Sequence, residues 1–214
     1  GPSGAGKSTL CRMLVGLMQP TDGEVRLDGT DLRHWDHLQL GSHLGYLPQD
    51  VELFSGTVGE NIARMADAED NEVTQAATTA HAHHMIQRLP DGYSTEIGDG
   101  GLRLSGGQRQ RIGLARAVFR SPPMVVLDEP NANLDQIGES ALADAVAELK
   151  RQGKLLLIVG HRPSTLAHAD KVLVMKDGMA VMFGPRDEVL KVLTEVTPPQ
   201  RPDALPDDRK SKEA

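Results

Sequence analysis

The fold is decided at the start of the chain, by the stretch Gly1-Pro2-Ser3-Gly4-Ala5-Gly6-Lys7-Ser8-Thr9. This stretch matches the phosphate-binding loop pattern G-x-x-x-x-G-K-[ST] at every fixed position. Its glycines let the backbone curl so that successive N–H groups point at one anion, and a helix is predicted to follow with its positive end toward that anion. Lys7 supplies a cation for the phosphates and Ser8 a hydroxyl for Mg²⁺. A chance glycine-rich turn is the alternative, but the pattern favours a nucleoside triphosphate site at residues 1–9.

Composition limits the class of protein. The chain has 214 residues, enough for one large domain with a real core. Its net charge of −7 and its 3% aromatic content argue against a nucleic-acid partner. Cys11 is the only cysteine, and we interpret it as a small apolar residue of the first helix, not as a nucleophile. No apolar run approaches the ~20 residues that span a bilayer.

Apolar strand patterns alternate with helical ones along the chain, which predicts an α/β fold with a mainly parallel core sheet. Strands are predicted at 24–27, 44–47, 124–127 and 155–159, and a hairpin at 172–175 and 179–183. Helices are predicted at 58–65, 72–89 and 138–150, with a helical insertion at about 50–120. Residues 196–214, rich in Pro, Asp and Lys, are predicted to be disordered.

A phosphate-binding loop normally follows a strand, yet this sequence begins on the loop itself. We therefore expect the chain to be an N-terminally truncated piece of a longer protein. Without that strand the sheet lacks a central member, so we also expect the isolated chain to fold poorly.

Two carboxylates follow the apolar run Met124–Leu127. Asp128 is predicted to hold Mg²⁺ opposite Ser8, and Glu129 to orient and deprotonate an attacking water, because α/β folds place ligand chemistry at the carboxyl ends of buried strands. Plain surface charge is the alternative for the pair. Gln49 follows another strand and can ligate Mg²⁺ or the water, although a lone glutamine is usually solvated. His161, also after a strand, can contact the γ-phosphate or be an ordinary packed residue.

A second glycine-rich loop contains Leu104-Ser105-Gly106-Gly107-Gln108 and opens a helix. One chain does not need two phosphate-binding helix ends for one triphosphate. Two chains arranged head to tail do, each closing the other's nucleotide. The sequence therefore predicts an ATP-dependent homodimer.

Taken in order, these motifs resemble the ATPase domain of ABC transporters over residues 1–195. They are GPSGAGKST, Gln49, LSGGQ, MVVLDE, Asn133-Leu134-Asp135 and His161. The resemblance implies the P-loop NTPase fold of that family, with ATP and Mg²⁺ as ligands. It implies that Ser105, Gly106, Gly107 and Gln108 serve the opposite subunit's ATP, that Asp135 belongs to a loop crossing the dimer interface, and that His161 contacts the γ-phosphate.

Narrower features resemble exporters, and among them bacterial type I secretion permease/ATPases of the protease and lipase exporter kind. They include Phe54–Ile62, Thr95–Gly101, Trp35 and the stretches 47–54, 128–135 and 183–190. The resemblance implies a transmembrane domain, a membrane fusion protein and an outer-membrane channel as partners, no nucleic acid, and a place at the cytoplasmic face of the inner membrane. The upstream segment that would stack the adenine is not in this sequence. A lipid or drug exporter, a soluble ABC ATPase and an inert fragment are the alternatives.

Overall fold

The computed structural model describes residues 1–98, 104–160 and 163–196. Within them the α-helices are α1 (Lys7–Leu14), α2 (His37–His43), α3 (Val58–Ile62), α4 (Asp70–Thr79), α5 (His83–Ile86), α6 (Gly106–Val118), α7 (Gln136–Arg151), α8 (Pro163–Ala167) and α9 (Arg186–Val196). The strands are β1 (Arg26–Leu27), β2 (Thr30–Asp31), β3 (Leu44–Leu47), β4 (Gly56–Thr57), β5 (Glu96–Ile97), β6 (Met124–Asp128), β7 (Leu155–Val159), β8 (Lys171–Lys176) and β9 (Met179–Pro185).

A parallel sheet in the order β3-β6-β7 forms the centre of the fold. Strand β6 lies in the middle, where Val125, Val126 and Leu127 are all 0% exposed, as their uninterrupted apolar run predicts. Leu47 pairs with Leu127, and Asp128 pairs with Val159. Because the strands are parallel, the segments that follow β3, β6 and β7 leave the sheet at one edge. The predicted parallel α/β sheet is confirmed.

Helix α6 packs directly on β3, and two glycines make this approach close. A Cβ on Gly45 would lie 2.1 Å from the carbonyl oxygen of Ala117, and one on Gly113 would lie 2.7 Å from Cγ1 of Val51. The core fills the space between the sheet and helices α3, α4, α6 and α7, with Ile62, Ile86 and Ile112 fully buried. Other strands form antiparallel pairs: β1-β2, β4-β5 and β8-β9.

Several elements lie where the sequence places them. Helix α7 agrees with the helix predicted at 138–150, and strands β8 and β9 form the predicted hairpin, with Leu173 opposite Phe183. Strand β1 is shorter than predicted and covers only Arg26–Leu27. Of the tail predicted at 196–214, Val196 is the last residue of α9, and residues 197–214 lie outside the described residues.

The single helix predicted at 72–89 is wrong, because the chain turns between α4 and α5. His81 has φ of 51°, and the N–H of Ala82 donates to the carbonyl of Ala77 at 2.8 Å. The turn buries Ala80 (1% exposed) and Ala82 (0%), so tertiary packing overrides a helical pattern. The helix predicted at 58–65 also ends early, because Arg64 and Met65 both have φ of 58°.

No helix among the described residues is long and apolar enough to cross a membrane.

Candidate nucleotide-binding site

Residues 1–9 form a tight loop that leads into α1. Gly4 and Gly6 adopt φ of 77° and 88°, which is left-handed backbone that glycine takes without strain. Gly6 is the N-cap of α1 and brings no side chain to the helix end. The amides of the first turn are therefore left for an external acceptor, and the helix dipole favours an anion there.

The side chain of Lys7 is held in place by the backbone of the loop. Its ammonium donates to the carbonyl oxygens of Gly1, at 3.0 Å, and Pro2, at 2.7 Å. These contacts keep a positive charge beside the amides that open α1. The predicted roles of Gly1, Pro2, Ser3, Gly4, Ala5, Gly6, Lys7, Ser8 and Thr9 in binding phosphate fit this geometry and stay predictions.

Asp128 ends β6 and is 1% exposed. Burial raises the pKa of its carboxyl, with a smaller contribution from the charge of Glu129, while a hydrogen bond with the Ser8 side chain acts in the opposite direction. The contact brings together the two residues predicted to hold Mg²⁺. The Oδ1 atom of Asp128 is buried and accepts no hydrogen bond from the described residues.

These observations fit a Mg²⁺ site. A buried carboxylate oxygen without a donor is costly unless a cation or proton occupies it, and hydroxyl and carboxylate oxygens are the donors that Mg²⁺ takes alongside nucleotide phosphates. The described residues contain no group of three His, Cys, Asp or Glu side chains placed to hold a metal. Ser8 and Asp128 would therefore hold the ion together with the nucleotide.

Glu129 follows directly and is partly exposed, which fits its predicted contact with water. Its φ of 47° is unusual for a residue other than glycine, and such backbone strain concentrates at functional sites. Its N–H donates to the carbonyl of Val159 at 3.0 Å, which fixes the turn to the end of β7. Glu129 thus lies at the same edge of the sheet as Asp128.

Gln49 lies two residues beyond β3, whose last residue pairs with Leu127 of β6. It is exposed and shares the edge of the sheet with Asp128 and Glu129. This placement fits the predicted contact with Mg²⁺ or water. His161 falls outside the described residues; the preceding strand β7 ends at Val159.

The second glycine-rich loop begins α6. The hydroxyl of Ser105 accepts from the N–H of Gln108 at 3.2 Å, and the Gln108 amide oxygen accepts from the N–H of Ser105 at 2.8 Å. This reciprocal pair is a capping box and satisfies two amides of the helix end. A Cβ on Gly106 would lie 3.0 Å from Cβ of Asn133, so the loop packs against the segment after Glu129.

Asp135 caps α7, because its carboxylate accepts from the N–H of Gly138 at 2.8 Å. The side chain is exposed, so this structural role leaves room for contact with another subunit. The predicted service of Ser105, Gly106, Gly107, Gln108 and Asp135 to a nucleotide shared between two subunits stays a prediction.

Sequence reasoning missed the residues that surround Asp128. Arg12 lies one helical turn beyond Ser8 on α1. Its charge opposes the burial that raises the pKa of Asp128, and its side chain hydrogen-bonds the side chain of Tyr46 on β3. The i, i+4 spacing from Ser8 was the available signal. Cys11 is fully buried, and burial together with Asp128 raises its pKa to about 12. A raised pKa disfavours the reactive thiolate, which fits the prediction that Cys11 is not a nucleophile.

Comparison with known proteins gives consistent matches. A family model described as "ABC transporter" matches residues 1–132. The type I secretion system ATP-binding protein PrsD of Rhizobium meliloti is 50% identical over 206 residues, covering 96% of this chain and 35% of that protein. The ATP-dependent lipid A-core flippase of Chromohalobacter salexigens is 41% identical over 191 residues, covering 89% of this chain and 33% of that protein.

The fold comparison agrees. A solved structure of a bacterial Atm1-family ABC exporter with ATP bound superposes with a TM-score of 0.81 and 37% identity, covering 90% of this chain and 34% of that chain. The chain thus spans about a third of the length of the proteins it matches.

Proposed function

Because the chain belongs to the ABC transporter family, we propose that residues 1–9, Asp128 and Glu129 bind and hydrolyse ATP. The observation that supports this most directly is the meeting of Ser8 and Asp128 beside the uncapped start of α1. A buried, donor-poor carboxylate next to a phosphate-binding loop is expensive to maintain in a protein that binds no cation there.

Under this proposal, residues of this chain perform the steps of ATP hydrolysis. The amides at the start of α1 and the ammonium of Lys7 bind the phosphates and favour the charge that develops on them. Ser8 and Asp128 would hold Mg²⁺, which when bound neutralises charge on the phosphate oxygens. Glu129 accepts a proton from the attacking water, and Gln49 helps orient that water. Ser105 to Gln108, Asp135 and His161 of a head-to-tail homodimer complete each site under this proposal.

Replacing Asp128 tests the metal part of the proposal. Asp128→Asn is expected to weaken Mg²⁺ binding, raising the Mg²⁺ concentration that gives half-maximal phosphate release about tenfold. A titration of phosphate release with Mg²⁺, in the native protein that contains this chain, measures it. Asp144→Asn on the exposed face of α7 is the matched control and should leave the titration unchanged. Equal titrations for both variants would contradict the role of Asp128.

The same variant should stabilise the nucleotide-free protein near neutral pH. Because the folded-state pKa of Asp128 is raised, the stability that its protonated form contributes is present below the unfolded-state pKa and lost as pH rises through the folded-state pKa. An asparagine carries no such penalty, so the gain in thermal midpoint should be present at pH 7.5 and shrink toward pH 4.

We further propose that the ATPase drives a type I secretion exporter at the cytoplasmic face of a bacterial inner membrane. It would act with a transmembrane domain, a membrane fusion protein and an outer-membrane channel. The 50% identity to PrsD over almost the whole chain supports protein as the cargo. The lipid A-core flippase relative supports lipid export as the second candidate.

The protein exporter and the lipid exporter differ in the molecule that is transported, and this difference can be measured. If the cargo is protein, a strain with Glu129→Gln in this chain is expected to lose one or a few proteins from its culture medium while surface lipid A is unchanged. Mass spectrometry of the medium and labelling of surface lipid A provide the measurement. Loss of surface lipid A with unaltered extracellular proteins would favour the lipid exporter instead.

A further inference from the structure

The segment after Glu129 is tied to a distant part of the chain by a side-chain hydrogen bond. The hydroxyl of Thr165, on α8, donates to Oδ1 of Asn131 at 3.0 Å across 34 positions of sequence. Asn131 lies two residues after Glu129, and its amide belongs to the turn that carries that carboxylate. Neither residue is one of the predicted ligands of the nucleotide.

Thr165 is also held tightly in place. A Cβ on Gly160 would lie 2.7 Å from Cγ2 of Thr165 and 3.0 Å from its Cβ, so the threonine packs directly onto the bare backbone at the end of β7. Val159, the residue before that glycine, accepts from the N–H of Glu129 at 3.0 Å. The Glu129 turn and the exit from β7 are therefore joined at two points, one through backbone and one through Thr165.

The other side of the same turn is fixed by α6. Gln110 is 2% exposed and donates its amide to the carbonyl of Pro130 at 3.1 Å. Below the turn lies a cavity of about 60 Å³, whose lining includes Asn131, Leu142 and Thr165. Because this cavity leaves space behind the turn, the bond from Gln110 to Pro130 and the bond from Thr165 to Asn131 fix the turn from two sides. The strained φ of Glu129 needs such support to persist.

From this geometry we infer that Thr165 is a positioning residue for hydrolysis: its bond to Asn131 sets where the Glu129 carboxylate lies. The inference deepens the proposed ATPase and rests on it. The hydrogen bond of Thr165 reaches the turn that carries Glu129 and not the phosphate-binding loop. Its loss should therefore slow the chemical step and spare nucleotide binding, since a small displacement of a general base is costly for rate.

The test compares variants of the native protein that contains this chain. Thr165→Val keeps the shape and removes the hydroxyl, and it is expected to lower kcat about tenfold while KM and the Kd for Mg·ATP change less than about twofold. Thr165→Ser restores the donor and should bring kcat back to within about threefold of wild type. Thr78→Val is the matched control, because that exposed hydroxyl donates to the carbonyl of Thr74 within α4 at 2.8 Å, and it should leave kcat unchanged.

Asn131→Leu removes the acceptor of the same hydrogen bond, so it tests the inference even if Thr165→Val does not fold. It should lower kcat by a similar factor, and the double variant should be no slower than either single one, because both remove one bond. A wild-type kcat in Thr165→Val, or equal losses in kcat and nucleotide binding, overturns the inference. Absence of hydrolysis in the wild-type protein overturns instead the proposed function on which the inference rests.

Discussion

Glu129→Gln is expected to lower the rate of ATP hydrolysis about a thousandfold while ATP binding persists, because an amide cannot accept the proton of the attacking water. The substitution is nearly isosteric and keeps a side chain that the strained turn already accommodates, with φ of 47°. It also removes the negative charge beside Asp128, where Glu129 contributes to the raised pKa. Nucleotide affinity should therefore hold or rise.

Single-turnover hydrolysis and equilibrium binding of Mg·ATP, measured on the same preparation, separate the two effects. Glu188→Gln, on the exposed face of α9, makes the same chemical change far along the chain and should hydrolyse at the wild-type rate. If the proposed shared site is correct, the Glu129 variant should also accumulate as an ATP-bound dimer. Hydrolysis by Glu129→Gln at the wild-type rate would remove Glu129 from the mechanism.

The central sheet and the loop at residues 1–9 were predictable because their signals are local. The glycines and Lys7 specify the loop by identity, and the run Met124–Leu127 specifies a strand buried on both faces by its length and uniform apolarity. Once such a strand is predicted, the position of the carboxylate at its end is predicted as well. The meeting of Ser8 with Asp128 follows once both elements are on one side of the sheet.

What the sequence did not predict depends on contacts between distant segments. The helical pattern at 72–89 continues through Ala80 to Ala82, but the chain turns there and buries these alanines and Ile86 in the core. Thr165 and Asn131 lie far apart in sequence, and neither belongs to a pattern that marks a partner. Arg64 is an isolated arginine after a short helix, yet its side chain reaches four backbone carbonyl oxygens.

Arg64 joins three parts of the fold through carbonyl oxygens. Its guanidinium donates to Gly41 at 2.6 Å, Arg116 at 3.0 Å and Ala117 at 3.0 Å, with a longer contact to Leu44 at 3.5 Å. The carbonyls of Gly41, Arg116 and Ala117 lie in the last turns of α2 and α6, where the backbone has no intrahelical donor and the helix dipole favours a cation. The pKa of Arg64 is lowered because burial at this junction withdraws the guanidinium from water.

Arg64→Met is therefore expected to destabilise the protein by about 3 kcal/mol, because several charge-assisted hydrogen bonds are lost and the carbonyls are left without donors. Methionine keeps the length and apolar bulk of the side chain, so the loss reports the guanidinium. For a domain of this size the thermal midpoint should fall by about 8 °C. Thermal inactivation of the ATPase in the native protein measures the shift.

Two further variants identify the cause. Arg64→Lys keeps the charge but offers a single ammonium in place of a planar fork, so it should recover less than half of the lost stability. Arg88→Met removes an exposed arginine and should change stability by no more than about 0.5 kcal/mol. A midpoint for Arg64→Met within 1 °C or so of wild type would mean that water or neighbouring groups satisfy the helix ends. In that case Arg64 would not be what holds α6 to the start of β3.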